Sequence, residues 1–390
     1  MIVGTRPELV KIAPVLEALS SRGHRAILVH SGQHYDGNMS DQFIEELGLP
    51  RPALTIKVGS GSHGEQTSKA LIGCEKAIKV FNPDVVIGQG DTNTTLAAAL
   101  ASSKMKIPFG HVEAGLRSYD REMPEEINRI VVDHISNLLF APTYRSAMTL
   151  HSEGIPEYQI FVTGNTIVDS CLRFSQVAAE KSQIIERLSL DKDQNLAVVT
   201  AHRSENVDSQ ERLRGIVTAL LRLTEYTLIF PVHPRALKRL RQFGMMKKLR
   251  KARHVILTDP LSYIDFLSIL MASKLVLTDS GGIQEEAVTL RVPCLTMRLN
   301  TERPETIDVG ANFLVGTDPK KIVSFTKKIL EDKEFAARMK AAPNPFGDGH
   351  AGERIVEVLE KVFEKKELPP TEIRLAPQFD ANLISASTVR

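Results

Sequence analysis

Residues 90–129, GDTNTTLAAALASSKMKIPFGHVEAGLRSYDREMPEEINR, decide the fold. The apolar run Val85-Val86-Ile87 leads into them, ends in Gly88 and Gly90, and delivers Asp91 just ahead of Thr92, Thr94 and an alanine-rich segment, 96–102. That pattern is a strand, a tight turn and a helix start. A second apolar piece, 108–112, delivers His111 and Glu113, followed by Gly115, Arg117 and the carboxylates Glu125 and Glu126 at the start of another helix. Three acidic positions therefore fall on loops that leave the carboxyl ends of strands, where open parallel sheets bind ligands. The plainer alternative is that Asp91 caps a helix and that Glu125 and Glu126 only complement a helix N-terminus.

Working outward, short β-branched runs alternate with longer amphipathic stretches along the chain. Strands are expected at 26–29, 85–87, 138–140 and 160–162, then at 196–199, 228–232, 255–257, 275–277, 294–297 and 313–315. This is α/β twice over, as befits 390 residues, a length beyond that at which single cores stop growing. The stretch 167–190 shows no clear strand and ends in polar residues. The first domain is therefore expected to close near Gly164 and the second to open near Leu196. Met1-Ile2-Val3 leaves almost no first strand before Gly4, so either the true start lies upstream or a central strand is a stub. Residues 367–390, with Pro369, Pro370 and Pro377 in or beside them, read as an extended tail.

With 49 basic against 47 acidic residues, a net charge of +2 and no long basic run, the composition argues against nucleic acid as a partner. Cys74, Cys171 and Cys294 lie too far apart for a metal motif, which suggests a reducing compartment. No apolar stretch approaches the roughly 20 residues of a membrane span and no secretory signal opens the chain, so a cytoplasmic protein without membrane association is expected.

Four further motifs carry chemistry. In GTRPELVK, a glycine turn is followed by Arg6, Pro7 and, one helical turn later, Lys11; they could clamp an anion at a helix start, or simply begin a solvated helix. SGQHYDGNM offers Gln33 and His34, and Gln66 stands near the start of a later helix. TAHRSEN puts His202 and Arg203 directly after a strand, and PVHPR repeats this with His233, where two prolines also make a rigid turn plausible. TDSGGIQEEA is the strongest local signal: Ser280, Gly281 and Gly282 bring backbone N–H groups to a helix start, where a diphosphate fits without metal. Glu286, one turn along, could accept from a ribose hydroxyl.

GTRPE, SGQHYDGNM, GDTNTT, HVEAGLRS, PEEINR, TAHRSEN, SGGIQEEA and MRLNTERPET, in this order, resemble the non-hydrolysing UDP-N-acetylglucosamine 2-epimerases. The resemblance spans Gly4 to about Glu305. It implies the glycosyltransferase B-type fold, two Rossmann-like domains facing across a cleft: 1–165 on the sugar side, 190–350 holding UDP, and a helix at 351–366 crossing back to the first domain. It implies reversible C2 epimerisation by elimination and re-addition of UDP, in a homodimer, without cofactor or metal, in the supply of cell-surface polysaccharide. By resemblance Asp91, Glu113 and Glu125 are the acid/base carboxylates, and His202 serves the leaving phosphate or a proton. Arg6, Lys11, Ser280, Gly281, Gly282, Glu286 and Arg298 match the UDP site, and Leu261 and Phe266 match positions beside the uracil. Gln33, His34, Gln66, Arg203 and His233 match residues that hold a second, activating substrate molecule. The short segment 118–123 is a departure, because some relatives with this short form act on UDP-2,3-diacetamido uronates. The alternatives are therefore that substrate, or a catalytically silent sugar-nucleotide sensor.

Overall fold

In the computed structural model, which describes residues 1–32, 44–191 and 194–364, the β-branched runs stack into two parallel sheets. The first holds β1 (Ile2–Val3), β2 (Val29–His30), β3 (Leu54–Thr55), β4 (Val86–Gln89), β5 (Phe109–Val112), β6 (Leu138–Ala141) and β7 (Ile160–Val162), in the order β3-β2-β1-β4-β5-β6-β7. The second holds β8 (Leu196–Val199), β9 (Thr227–Pro231), β10 (Val255–Thr258), β11 (Leu275–Thr278), β12 (Cys294–Thr296) and β13 (Asn312–Leu314), in the order β10-β9-β8-β11-β12-β13. β4, β5, β6, β8 and β11 are buried along their whole length, which is why they read as continuous apolar runs rather than as alternations.

Two strands differ from the sequence expectation. The strand expected at 26–29 pairs only at Val29 and His30, because its neighbour β1 offers two residues: Ile2 faces Val29 and Val3 faces His30. The amino group of Met1 donates to the Ile27 carbonyl at 2.7 Å instead. Sequence reasoning also missed β3, a two-residue edge strand preceded by Pro50 and Pro52. Prolines there remove donors and mask the strand signal.

One apolar cluster joins the halves. Leu9, Ile12 and Leu16 of the helix Arg6–Ser21 and Phe174 of the helix Thr166–Lys181 pack with Ile264, Leu267 and Val288 of the second half. Each such fully buried side chain stabilises by about 1.5–3 kcal/mol. The stretch 167–190 is thus mainly a helix wedged between the two sheets. The helix Ala351–Glu364 follows the second half in sequence but buries Ile355, Val356 and Leu359 in this same cluster, beside the Arg6–Ser21 helix. Its N-terminus is held by Asp169, whose Oδ1 accepts from the Gly352 N–H at 2.8 Å. Residues 365–390, and with them the expected tail, lie outside the described residues. Among the described residues no helix is long and apolar enough to cross a membrane, and the three cysteines are buried and unbridged.

Candidate active site

Strand order reverses between β1 and β4 in the first sheet and between β8 and β11 in the second; such switch points open the crevices in which these sheets bind ligands. Four loops leave them, carrying Arg6, Asp91, His202 and Ser280. The first two are tied together by Glu8. One of its oxygens accepts from the N–H groups of Gly4 (2.9 Å) and Thr5 (2.6 Å), and the other from the hydroxyls of Thr92 (2.8 Å) and Thr95 (3.1 Å). Thr5 and Glu8 form a capping box, so one helix start also fixes its neighbour. Gly4 is required for this closeness, since a Cβ there would lie 2.3 Å from Thr94 Oγ1.

Between the halves lies a cavity of about 620 Å³, within the usual range for small-molecule sites. Arg6 and Lys11 line it from the first half; His202, His233, Ser280, Gly282 and Glu286 line it from the second, with Leu261 and Phe266 on the apolar part. Ser280 caps the nine-residue helix Gly281–Thr289 without a side-chain bond to it. The first-turn N–H groups of that helix carry partial positive charge. Arg303 and Arg203 approach to within 3.8 and 4.0 Å of where a Cβ on Gly281 would lie, with a Glu302 carboxylate oxygen also at 3.8 Å. Burial pushes the Glu286 carboxyl up to about 7, against the nearby Tyr263 hydroxyl and the Lys11 charge, which pull it down. The folded state therefore holds a proton that the unfolded chain releases near 4.5. Stability should fall as pH rises from about 4.5 to about 7 and be flat above, on the order of 3 kcal/mol in all. Thermal melts of Glu286→Gln across that window should lose this component; an unchanged pH slope would remove Glu286 as its source.

Glu113 sits where the halves meet, with a left-handed backbone (φ 74°) that side chains rarely adopt. Lys11 Nζ lies 2.7 Å from both its oxygens, Gln89 Nε2 donates at 2.5 Å, and Arg303 Nη2 reaches across from the second half at 2.5 Å. Burial alone would raise this carboxyl, but Lys11 and Arg303 outweigh it and hold Glu113 below the ordinary carboxylate range. Arg303 also pairs with the fully buried Glu285, which takes a second cation, Lys11, at 3.2 Å and a bond from Asn165 at 2.9 Å.

Asp91 is 34% exposed at its side chain and pairs with Arg129. Its carbonyl accepts from Asn128 at 2.9 Å. Of the adjacent glutamates, Glu126 is committed to structure: it accepts from the N–H and hydroxyl of Ser118 and the N–H of Tyr119 at 2.8–3.0 Å, and pairs with Arg129 at 3.0 Å, so it shapes the short segment 118–123. Glu125 is half-buried, and its carboxylate makes no bond among the described residues. His111 turns away from the cavity, with Nδ1 2.6 Å from Asp133 and Nε2 2.8 Å from the Gly90 carbonyl. Arg117 joins it on Asp133 at 2.7 Å.

His202 Nδ1 lies 3.1 Å from Asp279 Oδ1. Asp279 is fully buried and also accepts from the N–H groups of His202 and Arg203 and from Asn206 Nδ2 at 3.0–3.2 Å. Burial would raise its carboxyl, but the contact to His202 and these donors hold it low. An ionised Asp279 accepts a hydrogen bond from the His202 Nδ1–H, which leaves Nε2 outside that contact. The His233 ring stands 5.7 Å from that of His202. Arg298 does not line the cavity; its guanidinium is taken by Glu205 (2.8 Å), Glu302 (2.7 Å) and Asn300 (3.0 Å). Arg203 shares Glu302 at 3.7 Å. Gln66 accepts from Asn93 at 3.0 Å and donates to the Gly59 carbonyl at 3.3 Å. Gln33 and His34 lie outside the described residues. Sequence reasoning assigned no role to Glu8, Asp279, Glu285 or Arg303. Only Glu8 left a local signal, the capping box.

Two facing parallel sheets with a cation-lined cavity between their switch points define a two-domain α/β protein built to hold an anionic nucleotide-type ligand. A model of the UDP-N-acetylglucosamine 2-epimerase family matches residues 17–360, and the chain belongs to that family. It is 48% identical to the UDP-N-acetylglucosamine 2-epimerase of Methanocaldococcus jannaschii over 92% of this chain and 98% of that one. It superposes on the crystal structure of that enzyme in complex with UDP-GlcNAc and UDP with a TM-score of 0.85, at 47% identity and again covering 92% and 98% of the two chains. It is also 38% identical to the UDP-2,3-diacetamido-2,3-dideoxy-D-glucuronate 2-epimerase of Pseudomonas aeruginosa, over 93% of this chain and 99% of that one. The expected glycosyltransferase B-type arrangement is thus the observed one.

Proposed function

We propose that the protein interconverts UDP-N-acetylglucosamine and UDP-N-acetylmannosamine. The observation that carries this reading is Glu113, kept ionised by Arg303 and by Lys11, the cation of the two that lines the nucleotide-sized cavity. The C2–H of the sugar lies beside no carbonyl, so direct deprotonation leaves an unstabilised carbanion. Elimination of UDP to a 2-acetamidoglucal avoids this: the C2–H and C1–O bonds break, UDP departs with the electron pair, and re-addition with a proton on the other face completes the inversion. Lys11 and Arg303 are shared between Glu113 and the place a departing diphosphate occupies, beside the Ser280–Gly282 turn. As charge develops on the diphosphate the cations follow it, which loosens their hold on Glu113 and raises its basicity when a proton must move. Asp91 and Glu125 supply the remaining proton transfers, and His202 Nε2 serves the leaving phosphate. The product enters polysaccharide synthesis in the cytoplasm, and the protein works as a homodimer. Ile72 and Val80, 55% and 71% exposed on the helix His63–Phe81, are candidates for that contact.

Incubation with UDP-N-acetylglucosamine in D₂O, followed by NMR, tests the reading. Deuterium at C2 and a mixture of epimers are expected. Unchanged sugar with bound nucleotide would make the protein a sensor, and turnover of the UDP-2,3-diacetamido uronate alone would move the substrate to that named for the Pseudomonas aeruginosa relative. Because cations and amides hold the diphosphate, activity should survive EDTA. A strict requirement for a divalent ion would sink this description of the grip.

A further inference from the structure

A net charge of +2 conceals a strong asymmetry. Residues 226–258 contain nine arginines and lysines, all between Arg235 and Arg253, and not one aspartate or glutamate, so the rest of the chain is negative. They are interspersed rather than consecutive, and the fold gathers them. The helices Pro234–Gln242 and Met246–Lys251 bury Ala236, Leu240, Met246 and Leu249 against the second sheet and turn their basic residues outward. Arg235 and Arg239 share the single carboxylate of Asp208. The other seven, Lys238, Arg241, Lys247, Lys248, Arg250, Lys251 and Arg253, are exposed and have no carboxylate within salt-bridge distance among the described residues. Four of them, Arg241, Lys247, Arg250 and Lys251, converge on a hollow of about 400 Å³ between the two helices. None lines the cavity between the domains.

Seven unpaired cations carried by two neighbouring helices and the turn after them, four of them round one hollow, repel one another, and nothing in the fold requires them. We propose that this face docks the protein reversibly on an anionic lipid bilayer, the hollow taking one phosphate headgroup and the flanking cations its neighbours. The footprint decides for a surface over a single small anion. Helices of nine and six residues, at about 1.5 Å per residue, spread the charge far wider than one phosphate, and clusters of four to eight basic residues are the size that anionic leaflets attract. The apolar sides of both helices are occupied by the protein core, so attachment is electrostatic without insertion. It is therefore sensitive to salt. Single-stranded nucleic acid fits less well, because such sites stack bases on exposed aromatic rings. The sole aromatic in 234–253, Phe243, packs against the core cluster.

The test is co-sedimentation of the full chain with vesicles of phosphatidylcholine alone or mixed with phosphatidylglycerol, at low and high salt. The wild type should bind only the anionic vesicles and be released by salt. Each cation near an anionic surface contributes about fivefold to partition, so Lys247→Glu/Arg250→Glu/Lys251→Glu should lower binding by roughly a hundredfold or more. Turnover of a soluble nucleotide sugar should be unchanged in this variant, which also shows that it folds. Equal binding to both vesicle types, or full binding by the variant, overturns the proposal. So does tighter binding to duplex or single-stranded nucleic acid than to vesicles, which would reassign the face, and so does saturation by inorganic pyrophosphate with no vesicle binding, which would reduce it to a small-anion site.

Discussion

Glu113→Gln should lower turnover by about a thousandfold and leave the fold intact. Proton transfer by a positioned side chain contributes on the order of 10²–10⁴, and Glu113 couples to both cations that face the leaving group, which places its loss high in that range. The amide is isosteric but cannot take a proton at neutral pH. Lys11 and Arg303 would not be stranded, because each keeps Glu285 as a partner, so circular dichroism and melting behaviour should stay close to wild type. Relieved of one carboxylate, the same cations should grip the diphosphate at least as well. The expected signature is thus a collapsed kcat with an unchanged or lower KM. Wild-type turnover would take Glu113 out of the chemistry, and a rise in KM alone would recast it as a binding residue.

Asp279→Asn should cost roughly a hundredfold in kcat although Asp279 does not line the cavity. An ionised carboxylate on Nδ1 fixes one tautomer of a working histidine, and the isosteric amide permits the other. The asparagine side chain can still accept from the N–H groups of His202 and Arg203, so the loop should hold its shape. A merely structural role and an orienting role separate in a double variant. If Asp279 acts through His202, then His202→Ala/Asp279→Asn should be no slower than His202→Ala alone. Multiplicative losses would leave Asp279 with a structural role only.

How much of this was legible depended on whether the signal was local. Glycine turns and helix starts are written in neighbouring residues, so the loops bearing Asp91 and Ser280, and the helix that carries Glu286, could be placed from GDTNTT and TDSGGIQEEA alone. The runs at 160–162 and 196–199 match β7 and β8 residue for residue, because apolar runs bounded by turns have few other uses. What stayed hidden comes from pairs far apart in the chain. Lys11 and Glu113 are separated by 102 positions and Arg303 and Glu113 by 190; no periodicity encodes such contacts. Within MRLNTERPET nothing local says which arginine reaches the cleft: Arg298 is occupied by Glu205 and Glu302, and Arg303, five residues on, is the one that meets Glu113. The unbroken list of charges likewise showed no basic run, because the positive face forms only when two helices bring interspersed residues together.

The chain passes between the two halves twice, once through the helix Thr166–Lys181 and again just before the helix Ala351–Glu364. The passages are fastened to each other. Asn165 donates its N–H to the Phe346 carbonyl at 2.8 Å, and Asp169 holds the start of the final helix. A single tether would let one half swing and twist about the other through a wide set of orientations. Two tethers bonded side by side behave as the pin of a door and leave essentially one rotation. Such a joint would make any re-closing a short search, in which Lys11 and Arg303 meet the same carboxylates without having to select among many wrong alignments.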